Sequence, residues 1–224
     1  MRGDPIGPGP RTRVRRLPEK ARYDAATVYA ILDGALVAHV AGVVEGRAVA
    51  LPTLLVRDGD VLYVHGNRSN AVLGAVVSDG QAWVTATLVD GLRLARSGFE
   101  SSIAYRSVVV VGAARDVEGK EKARALELLV DRVAPGRSRE VRPMSARELA
   151  LTRVVGIAMD EASAKVSAGP TEDGPEDLAL PIWAGTVPLV NHWGEPEADR
   201  RGALADARLA EDLPPSVRAL FGRP

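Results

Sequence analysis

Two short polar groups are the places where this sequence could do chemistry. His65-Gly66-Asn67-Arg68-Ser69-Asn70 joins a β-rich run to a helical one. A helix N-terminus there offers free backbone amides and the positive end of a dipole beside a glycine and a hydroxyl, which suits an anion, phosphate above all. Arg106-Ser107 stands at the mouth of an apolar strand, where a guanidinium can grip phosphate oxygens with two N–H groups and the serine adds a donor. A plainer reading remains beside this one, with Arg106 a surface charge and Ser69 only a helix cap. His65 reads equally as a cofactor contact and as a solvent-facing strand end. His39 alternates within a strand and reads as structural. Lys165 could approach a phosphate or an anionic ring locus, or be a solvated lysine on a late strand. Trp183 lies in a Pro-rich tail where no core demands it, so it either folds over a bound ring or staples the tail.

Other chemistries are missing. With no cysteine and three histidines, disulfides and thiolate metal sites are impossible and a zinc cluster would need carboxylate help. There is no Gly-x-Gly-x-x-Gly after a strand, no Gly-Lys-Ser/Thr phosphate loop, no Gly-x-Ser-x-Gly elbow and no His-Glu-x-x-His. The 29 basic and 29 acidic residues cancel, so nothing advertises a nucleic-acid or membrane surface. No run reaches the roughly 18 apolar residues of a membrane span and the start has no apolar signal region, which leads us to expect a soluble, cytoplasmic protein.

The elements that must position these groups follow from periodicity. Residues 1–20 are rich in Pro and Arg and predict a flexible arm. Asp24 caps a short helix whose Val28, Ile31 and Leu32 share a face. Two β-rich runs meet at Glu45-Gly46-Arg47, and DVLYVHG follows the turn at Asp58-Gly59-Asp60. Ser69 is the candidate cap of a second helix. Residues 81–96 alternate Val84, Ala86 and Leu88 against Trp83, Thr85 and Thr87, with both faces expected to be partly buried, and 103–117 contain four consecutive valines that belong inside. Residues 118–134 form an amphipathic helix through Ala125, Leu128 and Leu129. Ser145 and Glu148 make a capping box for another helix, and 153–167 read as one last strand. Six strands without βαβ alternation predict a mainly β fold, an antiparallel barrel with flanking helices. The domain spans residues 21–168, and 169–224 are an extension packing on the barrel or on a partner subunit.

Several pieces together resemble the flavin-binding branch of the pyridoxamine 5′-phosphate oxidase-like superfamily, which includes nitroimidazole-resistance-type reductases. They are Leu51-Pro52-Thr53 leading into DGDVLYVHG, residues 85–92, residues 99–109 with Tyr105-Arg106-Ser107, Ala164-Lys165-Val166, and 181–185 with Trp183-Ala184-Gly185. The resemblance implies a six-stranded split β-barrel homodimer with FMN at the subunit interface. It puts the phosphate near Ser69, Asn70, Arg106 and Ser107, and the ring edge along Pro52, Thr53 and Leu54 and beside Thr85. His65, Gly66, Lys165 and Trp183 complete the candidate cofactor contacts. Relatives often carry a lysine where this sequence has Asn70, which shifts phosphate charge onto Arg68 or Arg106 and leaves F420 or haem as alternative cofactors. The implied activity is FMN-dependent oxidation or reduction of a small molecule, with NAD(P)H a candidate donor and no side chain required as nucleophile. The rival class is a protein that binds or stores flavin nucleotide without turnover.

Overall fold

In this computed structural model the described residues are 7–199 and 213–221. Helix α1 (Ala25–Gly34) starts at Asp24, whose side chain accepts from the Thr27 amide at 2.8 Å. Strands β2 (Val37–Val44), β3 (Arg47–Asp58) and β4 (Val61–Asn67) form the expected meander, after the two-residue β1 (Ala21–Arg22). The β2–β3 turn puts Glu45 and Gly46 at φ of 50° and 75°, the pair of positive values that matches strand twist in a two-residue hairpin.

Helix α2 (Ala71–Ser78) follows β4, then come β5 (Gln81–Leu94), β6 (Ser102–Asp116) and α3 (Gly119–Val133). The chain continues through α4 (Ala146–Leu151), β7 (Thr152–Ala158), β8 (Glu161–Ser167), β9 (Gly185–Pro188) and α5 (Pro215–Phe221). All pairings are antiparallel. The nine-stranded sheet runs β1-β8-β6-β7-β4-β3-β2-β5-β9 and closes through β5–β6, so six strands make an irregular ring, the split barrel. β6 is the strand at which the ring splits. Its residues 105–111 lie between β5 and β8, and 114–116 turn to β7. Gly112 sits where β6 passes the β7–β8 turn, because a Cβ there would come within 1.6 Å of the Ala158 carbonyl oxygen.

Four expectations are corrected. Residues 153–167 are two strands reversing at Met159-Asp160, since an antiparallel hairpin lets both bury small residues against β6. The cap of α2 is Asn70, whose side chain accepts from the Leu73 amide at 3.0 Å, while Ser69 turns to Asn67 Oδ1. Helix α3 buries Ala125, Leu126 and Leu129, with Leu128 only half-buried, because the stripe set against Val56, Tyr63 and Val154 is centred on residues 122, 125, 126 and 129. Finally, only one face of β5 is buried. Ala82, Val84 and Ala86 point into the ring, whereas Trp83, Thr85 and Thr87 are exposed. The capping box at Ser145 and Glu148 is present as expected.

Ring residues Val40, Leu55, Leu62, Val84, Val108 and Val110 pack with Ile31 and Leu32 of α1 and Leu73 and Val76 of α2, so these two helices plug the ring. A second core lies outside it, where α3 packs on Val56, Tyr63 and Val154. Tyr63 donates to Glu121 at 2.8 Å and Arg115 grips the same carboxylate, which pins the start of α3 to the sheet. Of residues 1–20, the described part runs beside β8: Arg11 bonds Glu161 and Thr12 is buried. The first six residues lie outside the described residues.

Candidate functional site

The sheet register sorts the candidate residues into two groups. Opposed residues of antiparallel strands share a face. Pro52, His39 and Thr85 therefore line up across β3, β2 and β5, and Thr85 continues to Val109 and Ser163. The next row is Thr87, Ser107 and Lys165. These rows lie outside the ring on a face that no helix covers, and they carry hydroxyls, the His39 imidazole, one ammonium and otherwise small or apolar side chains. Among the described residues Lys165 has no ion-pair partner. Thr53 points the other way, opposite buried Ala38, and Pro52 lies beyond the β4 pairing, so its missing N–H breaks no bond on that side.

Arg106 shares the face of Leu88 at the mouth of the ring. Its Nε and Nη2 donate to both carboxylate oxygens of Asp90 at 2.9 and 2.7 Å, a forked pair that also raises the guanidinium pKa. Asp90 reaches it from the bulge between Val89 and Gly91. A cavity of 480 Å³ opens here between Thr87, Asp90 and Arg106 on one side and Leu189, Val190 and Asn191 on the other. Sequence reasoning missed Asp90, although a carboxylate directly before a strand glycine was a visible signal for a bulge. Trp183 is 66% exposed, and its indole lies over Gly185 at the start of β9.

The second group is built by the β4 end. His65 shares a face with Tyr63 and points toward α3, while Gly66 is still in β4 opposite Arg153 and Ser69 and Asn70 form the loop into α2. Arg68 lies 3.7 Å from Glu118, which puts this loop beside the C-terminal end of β6. Arg106 is at the other end of that strand. Within one chain the structure thus brings Thr87, Ser107 and Lys165 together but keeps Ser69 and Asn70 apart from Arg106.

His65 lines a cavity of 510 Å³ with Leu54, Leu126, Leu129, Val133 and Met144, and with Arg142, Glu148 and Thr152 at its rim. Its Nδ1 is buried without a hydrogen-bond partner, and burial pushes the imidazole below its ordinary pKa, so the ring is neutral at physiological pH. Sequence reasoning placed the helix and Leu129 but not the cavity beneath it; Val141 and Met144, apolar residues in a loop the core does not need, were the available hint. Among the described residues no group of three or more His, Asp or Glu gathers as a metal site, and no helix is long and apolar enough to cross a membrane.

The model of the family described as pyridoxamine 5′-phosphate oxidase matches residues 24–166. The flavocytochrome Anf3 from Azotobacter vinelandii is similar at 38% identity and a TM-score of 0.84, covering 92% of this chain and 96% of its own. The FAD and haem binding protein from Mycobacterium smegmatis is similar at 37% identity and a TM-score of 0.83, covering 91% of this chain and 98% of its own. A candidate 5-nitroimidazole antibiotic resistance protein from Bacteroides thetaiotaomicron shares the fold at 19% identity and a TM-score of 0.55, covering 65% and 86%. No curated protein matches the chain.

Proposed function

Because the chain belongs to the pyridoxamine 5′-phosphate oxidase family, we propose that it is a flavin- and haem-binding electron-transfer protein that works as a homodimer. Flavin binding is shared with the family's similar members, one of which is described as binding FAD and haem and another as a flavocytochrome. Those two likenesses extend over nine-tenths of both chains; the Mycobacterium smegmatis protein favours FAD over FMN, and the pair favours haem as a second cofactor rather than an alternative. The observation that carries the haem half is His65, a neutral imidazole with an orphaned buried nitrogen in an apolar cavity of 510 Å³. A haem would need a protein ligand to its iron and apolar walls, and a histidine imidazole is a common such ligand. The chain's residues fit: His65 would hold the iron, and the leucines and Met144 would exclude water. Arg142 at the rim is already paired with Glu148 and would orient a ligand rather than supply charge.

The flavin half rests on the uncovered sheet face. Thr87, Ser107 and Lys165 in one row offer two hydroxyl donors and a cation to a phosphate, and Pro52 and Thr85 offer a flat strand surface to the ring. Arg106 is already neutralised by Asp90 and would orient rather than supply charge. A flavin lying on this face alone would be half in water. A second copy closes it, and the apolar side chains left out, with Val37 and Val43 each 53% exposed and Trp83 beside them, are what such an interface would bury. Flavin and haem would supply the redox chemistry; the chain binds them, orients them and keeps water from them.

The absorption spectrum of the purified protein tests this. Oxidised-flavin bands together with a Soret peak are expected, His65→Ala should remove the Soret peak and keep the flavin, and the released flavin should chromatograph as FAD. A single deazaflavin band, or flavin with no Soret after haem supplementation, would sink the proposal. A flavin-storage role would appear as bound flavin that no NAD(P)H or acceptor turns over.

A further inference from the structure

Residues 140–145 form a strap without regular secondary structure between a turn of 3-10 helix at Arg137–Arg139 and α4. Val141, Arg142 and Met144 of the strap line the His65 cavity, and with Pro143 they also wall an adjoining cavity of 230 Å³. Both ends of the strap are tied. At its exit Arg142 donates to both oxygens of Glu148 at 2.8 and 2.6 Å, the carboxylate that also closes the Ser145 capping box. At its entry the Glu140 carboxylate accepts the backbone amide of Ser216 at 2.9 Å and its hydroxyl at 2.5 Å. Ser216 belongs to α5, is 1% exposed, and lies 76 residues further along the chain.

The second tie differs in kind from the first. Arg142 and Glu148 are six residues apart, so their bond forms whenever α4 forms. Helix α5 has seven residues, too few to be stable alone, and so persists there only by what it touches. Its amide and hydroxyl donate to the two oxygens of one carboxylate, and hydrogen bonds to a charge are stronger than those between neutral groups. Without α5, Glu140 keeps only Arg137, at 3.2 Å on an exposed edge.

We propose that α5 is a latch on this strap: by holding Glu140 through Ser216 it keeps residues 140–145 closed over the His65 cavity, and its undocking opens the route for a large, planar, apolar ligand. What enters rests on the haem reading above; the latch itself does not. Such a contact belongs to the class of local openings that need far less free energy than unfolding.

Hydrogen exchange on the full chain tests it, comparing the natural sequence with Ser216→Ala and, as a surface change that leaves the core alone, Glu140→Ala. Both should speed exchange of the 140–145 amides on the order of fivefold, the effect of one ordinary hydrogen bond, with β2–β6 unchanged. Fluorescence of the apolar dye anilinonaphthalene sulfonate, and the rate at which hemin associates with cofactor-free protein, should rise with them. Unchanged exchange at 140–145 in both variants overturns the latch. Faster exchange with unaltered dye and hemin rates overturns the gate. Failure of hemin to bind any form counts against the haem reading alone, because exchange and dye still judge the latch.

Discussion

Strand β3 runs through two outer surfaces of one sheet that have been finished in opposite ways. Toward β4 and β7 the sheet is covered in cis: α3 lays Ala125, Leu126 and Leu129 on Val56, Tyr63 and Val154. Toward β2 and β5 the same pleat presents Pro52, His39, Trp83, Thr85 and Thr87 with no helix above them. The covered side is not filled completely, and the space left over is the His65 cavity. The open side is flat and carries a ladder of hydroxyls ending at Lys165. A cavity roofed by the chain's own helix suits a cofactor held by one subunit, whereas a flat apolar sheet face suits one sandwiched between two.

The contrast can be broken most sharply at the open face. Trp83→Lys places a charge in the middle of it, and gel filtration should show the dimer converted to monomer with flavin lost; a natural protein that is already monomeric would end the idea. On the covered side, Leu129→Ala removes a nearly fully buried leucine between α3 and the sheet, which should cost about 2–5 kcal/mol in urea unfolding. A loss below 1 kcal/mol would mean α3 is loosely held and the cavity wall is not a wall.

A smaller effect sits at the α3 anchor. Burial and the Glu121 carboxylate push the Tyr63 hydroxyl up to about 12. A group whose folded pKa lies above its unfolded value stabilises most below the unfolded pKa, so this contribution is complete below pH 10 and is lost as pH rises through 12. Denaturant midpoints measured up that range should fall more steeply for the natural protein than for Tyr63→Phe. Parallel curves would show that the hydroxyl does not hold α3. The smallest change is Ser145→Ala, which deletes the capping box beneath the strap and should cost about 1 kcal/mol with flavin binding intact.

Local signals were legible wherever one residue and its near neighbours decide the outcome. The Asp24 cap, the Glu45-Gly46 turn and the Ser145 box each rest on bonds spanning three residues or a backbone conformation, and all three appear as read. The helix cap before α2 was misassigned by one position because Asn67, Ser69 and Asn70 all compete for the same few amides, and only the geometry of the strand end selects Asn70. The run 153–167 concealed a hairpin because Met159-Asp160 is no standard turn pair; the reversal is enforced by β6, which accepts β7 at one end and β8 at the other.

The alternation in β5 was enough to put Val84 inside the ring, but the four consecutive valines of β6 do not all belong there: period two sends Val108 and Val110 inward and Val109 and Val111 to the opposite face. It could not specify what lies over the other face. Residues far apart in sequence meet there through pairing register and helix docking, so the neutralising of Arg106 by Asp90, the separation of Arg106 from Ser69, and the apolar cavity beside His65 were decided by tertiary structure. Strand periodicity is a local property of the backbone, while a cavity is the volume left between elements whose distances no local pattern contains.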